Sequence, residues 1–359
     1  MRTSYFTYEN LLRAYQTCKK HKTNSQECME FTCNLEENLL ALERELRSRQ
    51  YRPGRAVAFV VTKPKLREVF AAQFRDRVVH HLLYNYLAPV YEPRFIYDSW
   101  ACRVGKGTHG AMKRLQDFEW QASEGGRNRE SYYLQMDIKS FFTSIDKQCL
   151  YSILARNIKN PEILWLSKVI IFHDPARDIP PQLNSSPKLF RQLPRDKSLF
   201  TVKRGRGLPI GNLTSQFFAN VYLNELDCYV KHVLKVKSYV RYVDDWIIIG
   251  TSILELREYE RVITEFVGSS LKLVIQTKKT VVGRVSDGID FVGYIVRPHY
   301  ILVRRRVVWQ CRRAVESAMV FGAAEQKRVI VSYQGHILKA QSYALRQAVF
   351  GFFGKSMGE

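Results

Sequence analysis

Acidic residues are the scarce class in this chain: 34 Asp and Glu stand against 56 Lys and Arg, a formal net charge of +22. A field that positive attracts polyanions, and nucleic acid is the commonest such partner. The seven cysteines (Cys18, Cys28, Cys33, Cys102, Cys149, Cys228, Cys311) are odd in number and scattered, with no C-x-x-C pair. That excludes a disulfide framework and a structural zinc site, and it fits a reducing cytoplasm. No uninterrupted apolar span is long enough to cross a bilayer, and no secretory signal opens the chain, so no membrane partner is expected. Low-complexity tracts are missing too. What is present is Arg and Lys interleaved with Tyr, Phe and Trp, which suits phosphate contacts and base stacking. The 359 residues can hold two or three subdomains around a sizeable core.

The most informative stretch runs from Ser238 through Tyr242-Val243-Asp244-Asp245 to Gly250. β-Branched and aromatic residues lead up to the acidic pair and an apolar run leads away, which predicts a β-hairpin with two carboxylates at its tip. Adjacent Asp between buried strands repel each other and lose solvation, so a cation is expected there. Oxygen ligands favour a hard ion, Mg²⁺ with Mn²⁺ as substitute. Asp-Asp is also ordinary turn chemistry, so the rest of the chain must decide.

Upstream, Leu35, Leu39, Leu42 and Leu46 recur at helical spacing, and Glu9 to Tyr15 opens another helix. Val57–Val61 and Lys63–Phe70 read as two strands joined by a basic turn. The hairpin would present Lys65 and Arg67 to a triphosphate, or it is a solvated turn. His80 and His81 lack ligand-spaced partners and read as packing or hydrogen-bonding residues. Residues 99–111 form a Gly-rich basic loop feeding a helix, able to hold phosphates through Arg103, Lys106 and backbone N–H groups. This loop is not a Walker A sequence. Tyr132–Asp137 is a strand ending in a carboxylate. Residues 172–206 are Pro-rich and basic, an irregular insertion that touches RNA or a partner, or is a passive loop. From Arg304 the chain turns helical and very basic, with Trp309, Val315 and Met319 on an apolar side. Arg304, Arg305, Arg306, Arg312 and Arg313 suit the phosphates of a duplex.

These motifs, in this order, resemble those of reverse transcriptases over residues 55–300. Asp137 with Ile138-Lys139-Ser140-Phe141-Phe142 resembles the first palm motif, and Tyr242 to Asp245 the catalytic Tyr-x-Asp-Asp box. Leu271 to Thr280 and Asp290 to Val296 resemble the next two. The resemblance implies Asp137, Asp244 and Asp245, with the Ile138 carbonyl, as ligands of two Mg²⁺ ions. It implies Lys279 as the group that protonates or stabilises leaving pyrophosphate, although a surface lysine fits as well. Phe142 falls where a ring excludes a ribose 2′-OH, and Gly293 in the turn that grips the primer.

Gly205 to Gln216 holds Pro-Ile-Gly where most members have Pro-Gln-Gly. Its Ile210-Gly211-Asn212-Leu213-Thr214-Ser215-Gln216 is most similar to the reverse transcriptases of diversity-generating retroelements, bacterial and phage enzymes related to the group II intron type. That implies Ile210, Gly211 and Gln216 beside the incoming nucleotide and relaxed base selection at template adenines. Stand-alone bacterial reverse transcriptases of antiphage defence, which copy a noncoding RNA, share much of this core.

The expectation is therefore an α+β right-hand polymerase. Fingers and N-terminal helices would occupy residues 1–130, an antiparallel-sheet palm 131–298 and a small helical thumb 299–359. The partners expected are an RNA template, an RNA–DNA duplex and dNTPs, with a noncoding RNA and a small basic accessory protein as further candidates. The last sixty or so residues hold only Glu316, Glu325 and Glu359 as acids, too few for the clustered carboxylates of an RNase H site. A metal-dependent nuclease would need a third carboxylate cluster or a His base near Asp244. A catalytically inactive RNA-binding scaffold would not need Asp137, Asp244 and Asp245 intact.

Overall fold

The computed structural model describes residues 4–20, 22–63 and 65–345, so Pro64 of the basic turn and residues 346–359 of the expected thumb lie outside the described residues. The chain opens with helices α1 (Tyr8–Cys18), α2 (Gln26–Cys33) and α3 (Leu35–Arg47), then strands β1 (Val57–Val61) and β2 (Arg67–Ala71). Helices α4 (Phe74–Tyr91) and α5 (Thr108–Ala122) precede β3 (Tyr132–Asp137), α6 (Phe141–Ser144), α7 (Lys147–Asn157) and α8 (Pro161–Phe172). Next come β4 (Gln182–Leu183), α9 (Pro187–Arg191), α10 (Leu213–Cys228), β5 (Tyr239–Tyr242), β6 (Asp245–Gly250) and α11 (Ile253–Ser269). Strands β7 (Val281–Arg284), β8 (Ile289–Phe291), β9 (Tyr294–Val296) and β10 (Ile301–Val303) lead to helices α12 (Arg305–Met319) and α13 (Ala323–Ile337). Side-chain caps start several helices. The Asn160 carboxamide accepts from the N–H groups of Glu162 and Ile163, with Pro161 in the first turn.

Two compact units share this chain. The first comprises residues 1–96, 138–233 and 263–276. Its sheet has the order β2-β1-β4. β1 and β2 form the expected hairpin, with Val61 opposite Arg67, and β4 adds in parallel to β1. The insertion at 172–206 therefore supplies an edge strand. It also satisfies the buried Glu68, whose carboxylate accepts from Ser198 Oγ and the Leu199 N–H, both at 2.8 Å. His80 is buried with Nδ1 2.6 Å from Thr214 Oγ1, and burial holds its imidazole down at about 3, neutral at any physiological pH. That is the hydrogen-bonding role its sequence context predicts.

The second unit comprises residues 97–137, 234–262 and 277–359. Its main sheet is antiparallel, in the order β5-β6-β3-β7, and a second sheet has the order β10-β9-β8. Their core gathers Trp100, Met112 and Leu115 with Val240, Ile247, Phe291, Tyr294, Cys311 and Val315. In α12 the buried positions are Cys311, Val315 and Ala318. Trp309 and Met319, expected on the apolar side, are 56% and 51% exposed. The 3.6-residue period puts Trp309 on the arginine face, where the Arg313 guanidinium lies 4.8 Å from its ring centre. All seven cysteines are free thiols. Among the described residues no helix is long and apolar enough to cross a membrane.

Candidate active site

The register of β3 against β6 does what the sequence could only imply. Asp137 ends β3, Asp245 begins β6, and the two are direct cross-strand partners. Directly opposed residues of antiparallel strands share a face, so their carboxylates project to the same side. Asp244 precedes Asp245 in the turn, so one of the two acids lies in the loop and the other in the strand. Across the same face, Lys279 Nζ donates to Asp137 Oδ2 at 2.7 Å. The hairpin, the strand end and the lysine motif thus meet in one place.

The turn itself is forced. Val243 adopts φ +57°, a left-handed conformation that a β-branched residue avoids at a cost of about 1–2 kcal/mol. Arg241, fully buried, holds it there. Its Nη1 donates to the Val243 carbonyl at 2.8 Å and its Nη2 to Ser99 Oγ at 3.0 Å. Backbone bonds from Arg241 N–H to Asp98 O and from Trp100 N–H to Arg241 O fasten the same strand to residues 98–100. Gln135, two residues before Asp137, reaches Asp245 with its amide nitrogen, 3.0 Å from Oδ1 and 3.3 Å from Oδ2. Neither residue carries a role in the motifs named above. Each is a polar side chain among apolar and aromatic strand neighbours, Arg241 in β5 and Gln135 in the β3 that Asp137 ends.

Burial is the main reason the Asp245 carboxyl is pushed up to about 7, with the negative charges of Asp137 and Asp244 adding to it. The Gln135 hydrogen bond and Lys279 oppose the rise. Such a site is short of positive charge, and its donors are all oxygens, so the residues fit a hard divalent cation. Among the described residues no group of three or more His, Cys, Asp or Glu is already arranged to hold a metal. The countercharge on Asp137 comes from Lys279.

Other predicted positions of this unit are also defined. Gly293 turns β8 into β9 at φ +94°, and a Cβ there would meet the His336 ring at 3.1 Å. Arg304 pairs with Asp290 at 2.9 Å, and its N–H donates to Gly293 O. Arg305, Arg306, Arg312 and Arg313 are exposed along α12. Arg103 donates to Ser99 O at 3.0 Å, and Lys106 donates to Tyr97 O at 2.9 Å while lying over the Tyr97 and Trp100 rings.

In the first unit, Phe142, Ile210 and Gly211 share one constellation. The Phe142 carbonyl accepts from the Leu208 N–H, and the Ile210 carbonyl accepts from the Phe70 N–H of β2, both at 2.8 Å. A Cβ on Gly211, at φ +126°, would lie 2.7 Å from the Phe70 oxygen, so only glycine lets this turn lie against β2. Ile138 is buried and bridged to Ile275. Gln216, Lys65 and Arg67 are exposed.

An α+β chain whose antiparallel sheet presents paired aspartates at the mouth of a strained hairpin has the fold class of the right-hand polymerases. The family model for "Reverse transcriptase (RNA-dependent DNA polymerase)" matches residues 61–296, and the chain belongs to that family. Its enzyme class is accordingly RNA-directed DNA polymerase, a nucleotidyltransferase. The chain is 25% identical over 296 residues to Protein YkfC of Escherichia coli, covering 71% of this chain and 70% of that protein. It is 23% identical over 300 residues to the Uncharacterized 91 kDa protein in cob intron of Schizosaccharomyces pombe, covering 68% of this chain and 34% of that one. A telomerase from Candida albicans, solved with a TWJ fragment of telomeric RNA, superposes with a TM-score of 0.48 at 15% identity, over 71% of this chain and 46% of that one. The chain thus spans about half or less of the yeast and fungal proteins it is similar to.

Proposed function

We propose that the protein adds deoxynucleotides to a primer 3′-OH on an RNA template. The observation that carries this is the cross-strand Asp137–Asp245 pair with Lys279 on Asp137. Mg²⁺ or Mn²⁺ held by Asp137, Asp244, Asp245 and the Ile138 carbonyl would supply activation of the 3′-OH and offset the charge of pyrophosphate. Lys279, close enough to the carboxylates to share their field, protonates or stabilises the leaving group. Lys65 and Arg67 meet the triphosphate, while Arg103 and Lys106 meet the template. Gly293 and the α12 arginines Arg305, Arg306, Arg312 and Arg313, with Arg304 before them, hold the hybrid duplex through its phosphates. In this assignment residues 1–130 form the N-terminal helices and fingers, 131–298 the palm and 299–359 the thumb. The test is primer extension on RNA with dNTPs and Mg²⁺. A purified wild-type protein that extends no primer on any RNA supplied argues for the non-catalytic scaffold.

The Phe142 ring fills the volume that a 2′-OH would need. Phe142→Ala is expected to raise ribonucleotide incorporation about a hundredfold, since shape alone discriminates a hydroxyl by about that factor. Unchanged exclusion of rNTPs removes Phe142 from that role.

The finer role we infer is error-prone cDNA synthesis in a diversity-generating retroelement, resting on Ile210 to Gln216. Isoleucine beside the nascent pair offers no hydrogen bond where an amide would. Ile210→Gln restores one, of about 1 kcal/mol, so errors opposite template adenine should fall several-fold. Sequencing of cDNA made by both proteins reads this directly. An unchanged error spectrum counts against the retroelement role and favours a defence enzyme copying a noncoding RNA.

A further inference from the structure

We propose that Gln135 is a positioning residue for the reaction, one that aims the Asp245 carboxylate and ties it to the hairpin carrying Gly293. The proposal rests on the polymerase reading above. β3 reads Tyr132-Tyr133-Leu134-Gln135-Met136-Asp137, and alternation along a strand puts Gln135 on the face of Asp137. From there its Nε2 contacts three oxygens: Asp245 Oδ1 at 3.0 Å, Asp245 Oδ2 at 3.3 Å and the Asp290 backbone carbonyl at 3.1 Å. A carboxamide nitrogen has two hydrogens, so one serves the carboxylate and the other the carbonyl.

The residue type matters. A lysine here would neutralise Asp245 and compete with a cation, and a glutamate would add a further negative charge. A neutral donor fixes the carboxylate without doing either. The second contact gives this a reach beyond Asp245. Asp290 belongs to β8, its carboxylate pairs with Arg304, and the Arg304 N–H closes the Gly293 turn. Through one amide, the acid of the reaction centre and the turn expected to meet the primer backbone share a single anchor.

Groups that orient a metal's carboxylate typically change metal affinity or rate by about 10–100-fold when removed. The test uses two variants of the full-length chain. Gln135→Met keeps the length and removes the donor. Gln135→Glu keeps the shape, removes the donor and adds charge. Mn²⁺ binding is titrated by electron paramagnetic resonance without nucleotide, and steady-state extension is measured over a range of dNTP concentrations. In Gln135→Met both Mn²⁺ affinity and kcat should fall about 10–100-fold, with the KM for dNTP within about threefold of wild type. Gln135→Glu should lose kcat equally yet bind Mn²⁺ at least as tightly as wild type. Simple loss of stability cannot produce that split. Gln135→Met with affinity and kcat within about twofold of wild type overturns the proposal. If that variant does not fold, wild-type kcat in Gln135→Glu overturns it. A wild-type protein that binds Mn²⁺ but extends no primer overturns the polymerase reading instead, and the Mn²⁺ titrations then judge Gln135 alone.

Discussion

Asp245→Asn is expected to abolish primer extension while making the folded protein harder to unfold. The first effect follows from chemistry. In the proposed mechanism Asp245 is a charged ligand of the cations that offset charge on the attacking oxygen and the pyrophosphate, and an amide does not replace it. Losing several kcal/mol of that stabilisation is at least about 10³-fold in rate. The same loss is expected for Asp244→Asn. The second effect follows from burial. The Asp245 carboxyl, ordinarily at 3.8, is pushed up to about 7 in the fold, so its ionisation opposes folding. The opposition is absent below about pH 3, where the carboxyl is protonated in both states, grows as pH rises toward 7, and is constant above. Asn cannot ionise, so the variant should gain about 2–4 kcal/mol at pH 8 and nothing near pH 3. Urea unfolding in metal-free buffer at the two pH values measures this. Equal unfolding midpoints for variant and wild type at pH 8 would refute the electrostatic account, and extension retained within tenfold would refute the catalytic one.

Arg241→Met should cost both stability and rate. The guanidinium is fully buried and donates to the Val243 carbonyl and the Ser99 hydroxyl. Removing it takes this donor from the buried Ser99 hydroxyl and from the half-buried Val243 carbonyl, worth about 2 kcal/mol together. It also frees Val243 from φ +57°, and a valine without that brace relaxes toward ordinary backbone angles, carrying Asp244 with it. A fall in kcat of about a hundredfold is expected, in line with an ångström-scale misplacement of a reacting group. Arg241→Lys keeps a positive charge but lacks the planar fork, so it should recover only part of either loss. An Arg241→Met protein that unfolds and extends like wild type would show the turn to be held by other means.

Much of the architecture is legible in the chain because it rests on short-range pattern. β-Branched and aromatic composition marks β1, β2, β3, β5 and β6. The 3.6-residue period marks α1 and α3, and Gly-Pro punctuation marks the turn before α10. Helix α2, only eight residues long, has too little periodicity to be read. The insertion at 172–206 shows why composition misleads. Proline and charge predict irregularity, which is there, but not the edge pairing of β4 or the capture of Glu68. Trp309 misled in another way. Apolar character sent it to the core, whereas the helix phase is set by Cys311, Val315 and Ala318, and it faces water beside Arg313.

By itself the sequence determined the chemical inventory: a basic chain for a polyanion, acids at the end of one strand and at a hairpin, a lysine motif beyond them, and the family they belong to. Only the tertiary structure decided that Asp137 faces Asp245, that Lys279 reaches Asp137, and that Gln135 and Arg241 hold the arrangement. Strand type is a local property of a few residues. Register between strands distant in the chain is instead set by which faces a whole core can bury, and shifting it by one residue would turn every one of these side chains to the opposite face.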